Sequence, residues 1–252
     1  MRFLVIMLAL FFATRVFASN MRHLQYQGLP YCQVLVNPDV AGNATLVLLL
    51  HGRSRCGSDN EKQLSQKALS PILDYAKKTG RKFLVLLPQC PSGQDWLHGG
   101  RFRSRGEHRN ASRGTANTPS GGENVPGMLA AELVKDKMKE FNVPANRVFI
   151  SGFSMGGAAC YGIMIRNPGL FSKALIVSSG GQPNMAPRLR GAFYLVQGEK
   201  DDLFSPAKAQ RMVDALRNNP ECSVQLKIAH GKDHSGAADV AYTDEILDWL
   251  FQ

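Results

Sequence analysis

One stretch of the sequence carries a serine in a setting that could make it a nucleophile. Residues 148–150 form an apolar run that predicts a buried strand, and residues 158–165 have the pattern of a helix. Between them lies Gly152-Phe153-Ser154-Met155-Gly156, a G-x-S-x-G pentapeptide. Strand, sharp turn and helix are the context in which this motif exposes a reactive hydroxyl. The sequence therefore predicts a nucleophile at Ser154, in preference to an ordinary Gly/Ser turn.

A serine hydroxyl needs a base within hydrogen-bond reach and an acid that orients the base. Where the serine follows a strand in this way, the acid and then the histidine come after it along the chain. Asp201 and Asp202 both lie just past the strand predicted at residues 192–197, and Glu199 is a weaker candidate. Position barely separates the two aspartates, so both are candidates for the acid, and the other would serve as a turn or capping residue.

Two histidines follow the acid candidates. His234 lies within residues 231–236, a flexible loop that could reach over the edge of the sheet. His230 follows the strand predicted at residues 224–228 so closely that the wall of the site would fix it. The sequence therefore favours His234 as the base, with His230 as the alternative and a surface histidine as the structural interpretation of either.

Acyl transfer also needs N–H donors directed at the oxygen that becomes negative. One is expected to be the amide of Met155, the residue after the nucleophile. The other is expected in the loop after the strand at residues 45–50, where Gly52 permits close approach of the backbone. We choose the amide of Arg53 as this second donor, and we interpret the neighbouring His51 as a structural hydrogen-bonding residue.

The elements that must position these residues alternate between strand and helix. Continuous apolar runs at residues 45–50 and 83–87 predict strands that are covered on both faces. Further strands are predicted at 31–36, 174–178, 192–197 and 224–228, and helices at 61–78, 125–141, 206–217 and 242–251. This alternation predicts an α/β fold with a mostly parallel, doubly wound sheet, in which ligands bind at the carboxyl ends of the strands.

The first 18 residues are predicted to be a secretory signal peptide. Arg2 precedes an apolar run over residues 3–13, and small residues end at Ala18. The run is shorter than the roughly 20 apolar residues of a transmembrane helix, so an uncleaved membrane anchor is the less favoured alternative. We expect an exported, soluble protein, secreted or periplasmic, in which residues 19–252 form a single domain.

Residues 89–122 show no periodicity and are predicted to be a functional loop insertion, such as a lid or substrate-binding segment. The net charge of +10 becomes +8 without the two arginines of the predicted signal. An exposed loop is favoured over a nucleic-acid site, because Phe102 is the only aromatic residue among the arginines. Such a loop would attract acidic polysaccharide or an anionic surface. The clustered arginines are Arg101, Arg103, Arg105, Arg109 and Arg113.

The sequence contains five cysteines, which in an exported chain predict disulfides with one cysteine left over. Cys56 and Cys90 each follow a predicted strand whose carboxyl end should lie near the site, and we expect these two to pair. Cys160, on the helix after the pentapeptide, is interpreted as a small buried residue.

Several motifs together carry a resemblance to a known family. They are Leu50-His51-Gly52, Pro88 with Trp96, Arg147-Val148 running to Gly152-Phe153-Ser154-Met155-Gly156-Gly157, and Gly198-Glu199-Lys200-Asp201. From about Tyr31 to the C-terminus the chain resembles the α/β-hydrolase superfamily. More narrowly, it is similar to the phospholipase/carboxylesterase group and to the secreted esterases that include feruloyl esterases and polyhydroxybutyrate depolymerases.

The resemblance implies an α/β-hydrolase fold and an esterase or thioesterase with a Ser-His-Asp triad, without a metal or other cofactor. Families of this kind have a G-x-x-D segment before the helix that Ser205-Pro206 opens, which favours Asp201 over Asp202. The insertion at residues 89–122 matches no pattern of the family, so the substrate preference stays open.

We therefore expect a serine esterase that acts through an acyl-enzyme, for example on acyl or feruloyl esters of polysaccharides. An acyl-thioesterase or lysophospholipase-type carboxylesterase is one alternative. A serine peptidase of the same fold is another, although such peptidases usually carry an extra domain. A non-catalytic binding protein is disfavoured because candidates for the whole triad are present.

Trp96 is expected either to bind substrate, by stacking on an aromatic acyl group or a sugar, or to fill the core. The expected partner is a small-molecule or polysaccharide-linked ester. No nucleic acid and no stable insertion into a membrane are expected, and the sequence does not predict an oligomeric state.

Overall fold

The computed structural model describes residues 21–98 and 125–252. Its framework is an eight-stranded sheet. The strands are β1 (Met21–Tyr26), β2 (Leu29–Val36), β3 (Thr45–Leu50), β4 (Phe83–Pro88), β5 (Val148–Phe153), β6 (Lys173–Val177), β7 (Gly191–Gly198) and β8 (Cys222–Ala229). They lie in the order β1-β2-β4-β3-β5-β6-β7-β8. Strands β3 to β8 run parallel, whereas β1 and β2 pair in antiparallel fashion with their neighbours.

Helices cover both faces of this sheet. They are α1 (Leu69–Thr79), α2 (Pro126–Glu140), α3 (Met155–Arg166), α4 (Pro206–Arg217) and α5 (Asp244–Phe251). Helices α2, α3 and α4 pack in one apolar cluster, and α1 and α5 pack in a second cluster on the opposite face. The predicted α/β class with a mostly parallel, doubly wound sheet is confirmed.

The central strands are apolar along their whole length because both of their faces are buried. Every residue of β3 is buried, and successive side chains point to opposite faces of the sheet. Leu46 and Leu48 join the cluster of α2, α3 and α4, while Val47 and Leu49 join the cluster of α1 and α5. The continuous apolar run therefore allows β3 to pack against both helix layers.

Two elements differ from the sequence prediction. Strand β1 was not predicted, and residues 61–78 form a 3-10 helix over Lys62–Ser65 followed by α1, where one helix was expected. The break occurs at Gln66, which has extended backbone angles. Pro71 lies in the first turn of α1, where its missing N–H removes no helical hydrogen bond.

The predicted signal peptide, residues 1–18, lies outside the described residues, as do residues 99–122 of the predicted insertion. Within the two described ranges, no helix combines the length and the apolar character needed to cross a membrane.

Candidate active site

Ser154 lies in the sharp turn between β5 and α3. Its backbone angles, φ 55° and ψ −115°, are rare for a residue with a side chain and cost free energy that the surrounding structure must offset. The turn is tight enough that a Cβ at Gly152 would overlap the carbonyl of Gly156, and a Cβ at Gly156 would overlap the carbonyl of Leu50. The two glycines of the pentapeptide are therefore required by close backbone approach.

The structure brings Ser154, His234 and Asp201 together. The Nε2 atom of His234 lies 2.9 Å from the hydroxyl oxygen of Ser154. Its Nδ1 atom lies 2.8 Å from Oδ2 of Asp201. Because an ionised carboxylate only accepts hydrogen bonds, Nδ1 carries the proton and Nε2 is left to accept from the serine. This is the arrangement in which an imidazole can act as a general base.

Asp201 is buried and fully hydrogen bonded. Its Oδ1 atom accepts from the amides of Leu203 and Phe204 at 3.0 and 2.9 Å, and Oδ2 accepts from Nε2 of Gln197 at 2.7 Å. These hydrogen bonds fix the orientation of the carboxylate, so that Oδ2 faces the imidazole of His234. Asp202 is exposed, and the structure does not bring it to His234.

The alternative base, His230, and the weaker acid candidate, Glu199, pair with each other away from Ser154. Nδ1 of His230 lies 3.3 Å from Oε1 of Glu199, and the His230 side chain is 83% exposed. The backbone N–H of Gly231 also donates to Glu199. This contact secures the turn after β8 and leaves His234 as the imidazole beside Ser154.

Four residues to which the sequence analysis gave no role hold the acid and the base in place. Gln197 donates to Asp201 and to the carbonyl of Phe204, and Ser178 donates to the carbonyl of His234 at 2.7 Å. The ring of Phe204 stacks on His234 with centroids 5.8 Å apart, and Phe153 lies on it at 5.1 Å. A polar residue near the carboxyl end of an apolar strand was the signal available for Gln197.

The two predicted oxyanion donors lie at helix starts beside this turn. Met155 is the first residue of α3, and Arg53 is the first residue of a 3-10 helix over Arg53–Arg55. Amides at such positions point away from the helix body. A Cβ at Gly52 would lie 2.9 Å from the Phe153 ring, so the loop after β3 is packed against the turn that carries Ser154.

His51 is buried and hydrogen bonded through both ring nitrogens. Nδ1 donates to the carbonyl of Gly52 at 2.7 Å, and Nε2 accepts from the amide of Cys90 at 3.0 Å. Burial lowers the pKa of His51 to about 4, so its ring is neutral near pH 7. The structure agrees with the interpretation of His51 as a structural residue.

The prediction that Trp96 binds substrate is wrong. The residue is 1% exposed, and its indole N–H donates to the carbonyl of His51 at 3.0 Å. A ring enclosed in this way cannot stack on a substrate. The alternative that it fills the core is the one that the structure supports.

Cys56 and Cys90 are free thiols in the structure, so the predicted disulfide is not formed there, although the two side chains are hydrogen bonded to each other. This hydrogen bond lowers the pKa of Cys56 below its usual range and, together with burial, raises that of Cys90. Cys160 is buried and donates to the carbonyl of Gly156, which agrees with its structural interpretation.

A cavity of about 560 Å³ adjoins the site. Phe204, which stacks on His234, forms part of its wall, and Ala158 and Gly162 of α3 form another part. Within the described ranges, no group of three or more His, Cys, Asp or Glu side chains is arranged to hold a metal ion. The chemistry available here is that of a serine, an imidazole and a carboxylate beside a cavity of small-molecule size.

A scan against protein-family models found no match, and neither did a comparison with curated protein sequences. Solved structures do resemble this one. A thermostable esterase has a TM-score of 0.74 and 21% identity, with 94% of this chain and 64% of that chain covered. This chain therefore spans slightly less than two thirds of the length of that esterase.

Two further structures cover nearly the whole of both chains. Est1E from Butyrivibrio proteoclasticus has a TM-score of 0.61 and 8% identity, with 91% of this chain and 97% of that chain covered, and it has also been solved with ferulic acid bound. An S-formylglutathione hydrolase from Agrobacterium tumefaciens has a TM-score of 0.58 and 14% identity, with coverage of 92% and 94%. At such identities the likeness shows a shared fold, that of the α/β hydrolases.

Proposed function

We propose that this chain, which has the α/β-hydrolase fold, is a serine esterase that hydrolyses a carboxylic ester through an acyl-enzyme. One observation carries the proposal: His234 lies at hydrogen-bond distance from both Ser154 and Asp201, at 2.9 and 2.8 Å. The esterases among the solved structures of the same fold support the reaction class.

In the proposed reaction, Nε2 of His234 takes the proton of Ser154 as its Oγ attacks the ester carbonyl carbon. The amides of Met155 and Arg53 stabilise the oxyanion that forms, and Asp201 stays ionised beside the imidazolium. His234 then gives its proton to the leaving alcohol oxygen, and the acyl-enzyme results. A water that His234 deprotonates attacks the acyl carbon, the proton returns to Ser154, and the carboxylic acid is released.

Covalent labelling with a fluorophosphonate tests the nucleophile. The folded wild-type protein should label on Ser154, and Ser154→Ala should abolish labelling and reduce kcat by a factor on the order of 10⁴–10⁶. Ser70→Ala, an exposed serine on α1, is the matched control and should label normally. A folded wild-type protein that neither labels nor hydrolyses any ester would refute the proposal.

The substrate class is tested by a hydrolysis panel. We propose acyl or feruloyl esters of polysaccharides, and the structural likeness to Est1E, which binds ferulic acid, makes methyl ferulate a reasonable member of the panel. Short and long nitrophenyl esters, acetylated xylan, an acyl-thioester and a peptide anilide complete it. Preference for the thioester or cleavage of the anilide would favour a thioesterase or a peptidase.

We also propose that the chain is exported and that Cys56 and Cys90 pair outside the cell. The adjacency of the two thiols supports this pairing. The two thiols would lose two protons and two electrons to an oxidant such as a small-molecule disulfide, which becomes two thiols. The exported protein should begin at Ser19. Under denaturing conditions, a maleimide should react with Cys160 but with neither Cys56 nor Cys90.

A further inference from the structure

The cavity beside the triad has features that the proposed hydrolysis step does not use. Ala158, Gly162 and Arg166 line it from one face of α3, because residues four apart on a helix lie one above the other. Leu97 packs over Gly162, where a Cβ would lie 2.6 Å from its side chain. The cavity thus reaches along this face of α3 from Ala158, near the nucleophile, to Arg166.

The walls of this cavity that the structure describes carry positively charged side chains. Arg166, which is half-buried, and Arg188, which ends a 3-10 helix over Pro183–Arg188, both line it. Neither guanidinium has an ion pair or hydrogen bond within residues 21–98 and 125–252. No Asp or Glu is among the lining residues that the structure describes, and the nearby Asp95 is already bonded to His98 of the wall. The two arginines are therefore available to bind an anionic group.

Two buried hydroxyl groups lie in the same wall. The Tyr161 hydroxyl and the Ser179 hydroxyl have no hydrogen-bond partner in the part of the chain that the structure describes. Tyr161 is fully buried and Ser179 is 2% exposed. Because neither oxygen is exposed to the cavity, these two hydroxyls belong to the packing of the wall and do not contribute to the binding of a ligand.

We propose that the natural substrate is an ester that carries a carboxylate, which Arg166 and Arg188 bind at the far end of the cavity. The inference rests on the proposed esterase function and deepens it. Arginine suits this role because its planar guanidinium can bind a carboxylate with two parallel hydrogen bonds.

The helix also sets the distance between the two ends of the substrate. Arg166 follows Ser154 by twelve positions, which is roughly 18 Å along the axis of α3. Its side chain leans back toward the start of the helix, which shortens the separation. The carboxylate should therefore lie about 10–15 Å from the ester carbonyl.

The test uses esters whose carboxylate is moved step by step. One series consists of 4-nitrophenyl hemiesters of dicarboxylic acids from glutarate to dodecanedioate, which place the carboxylate on the acyl chain. A second series consists of ω-acetoxy carboxylates, which place it on the alcohol. Each compound is compared with its methyl-capped, neutral partner, so that the ratio of the two kcat/KM values isolates the charge.

At low ionic strength, the longer members of one series should be preferred over their capped partners by about tenfold or more. Added salt should reduce this preference. Arg166→Gln and Arg188→Gln should each lower the ratio, and the double variant should abolish it. Arg211→Gln, an exposed arginine of α4 outside the cavity, is the control and should leave the ratio unchanged. Thermal melts show whether each variant is folded.

The outcomes separate this inference from the proposed function. Hydrolysis of neutral esters without a charge preference in either series would refute the inference and leave the esterase intact. A charge preference that survives in the double variant would also refute it. If no ester is hydrolysed, titration calorimetry of dodecanedioate into Ser154→Ala decides: binding that the two arginine substitutions abolish supports the carboxylate site, and no binding refutes it.

Discussion

The side chain of Gln197 shows how a residue without chemistry of its own can shape the site. It is buried in β7, four positions before Asp201, and its amide N–H₂ group binds both the carboxylate of Asp201 and the carbonyl of Phe204. The first contact orients the acid, and the second closes the turn whose amides bind the other carboxylate oxygen. Gln197 is thus a positioning residue for His234, which it does not contact itself.

Replacing Gln197 with methionine tests this role. Gln197→Met keeps the volume and removes both hydrogen bonds, so Asp201 should hold the imidazole less firmly. We expect kcat to fall roughly tenfold, the equivalent of about one lost charge-assisted hydrogen bond, with KM little changed. The measurement is steady-state kinetics on a nitrophenyl ester, with thermal melts as the control for folding. An unchanged kcat would show that the backbone amides alone position the acid.

His51 makes stability depend on pH. The pKa of a histidine is about 6.5 in the unfolded chain, and burial lowers the pKa of His51 to about 4 in the folded one. Between these values the unfolded chain binds a proton that the folded chain does not, so the free energy of unfolding falls as the pH is lowered from about 6.5 to about 4. The loss from this group should amount to roughly 3 kcal/mol.

Urea unfolding at pH 7 and pH 4 measures this loss. Other groups titrate in the same range, so the comparison is with His51→Asn, whose amide can replace the donor to Gly52 but does not titrate. The variant should be less stable than wild type at pH 7 and should lose less stability on acidification. Equal losses in the two proteins would contradict the assignment to His51.

At the scale of elements, the turn between β5 and α3 was predictable because its geometry demands particular residues. Ser154 has a positive φ angle, and the glycines on either side leave no space for a Cβ. Strand β1 had no comparable signal, since it is an edge strand with exposed Arg22 and His23 and an incomplete apolar alternation. The break before α1 was missed because Leu64 and Leu69 continue to supply apolar residues across it.

Gly156→Ala should therefore be severely destabilising. The new methyl group would overlap the backbone carbonyl of Leu50, which cannot move without displacing β3 from the centre of the sheet. We expect a loss above about 3 kcal/mol, at the upper end of point substitutions. Gly169→Ala is the control: its φ of 80° is unfavourable for alanine but its surroundings are open, so a loss of about 1 kcal/mol is expected. Chemical unfolding of both variants gives the comparison, and equal losses would contradict the steric argument.

At the scale of the whole molecule, the fold determines which polar residues come together. The sequence predicted only part of this arrangement. The order of serine, acid and histidine along the chain and their placement after strands selected Ser154 and favoured His234, whereas the choice of Asp201 over Asp202 came from the family resemblance. The sequence did not predict whether Trp96 lies in a cleft or in the core. The position of a tryptophan after a strand depends on which residues pack over it. Here the carbonyl of His51 accepts its N–H, and the backbone of Trp96 lies against Gly127 of α2.

Phe251, in the last turn of α5, is a further residue whose contribution to stability depends on the assembled fold. Phe251 is 2% exposed, and its ring contacts three others, Phe83 at 4.8 Å, Phe149 at 5.3 Å and Tyr75 at 5.5 Å between centroids. These rings come from β4, β5 and α1, so α5 closes the core on the face opposite α3. Because the cluster lies under the sheet and not at its carboxyl edge, it should affect stability and leave catalysis alone.

Phe251→Ala should lower the free energy of unfolding by about 3–5 kcal/mol and the melting temperature by roughly 10 °C. The kcat of the folded variant at low temperature should stay within about twofold of wild type, the opposite of the effect expected for Ser154→Ala. Val40→Ala, in the exposed loop before β3, is the control and should change stability by less than about 0.5 kcal/mol. A Phe251→Ala protein that melts like wild type would mean that the aromatic cluster does not close the core, whereas one that stays folded but loses activity would mean that α5 transmits strain to the edge where His234 lies.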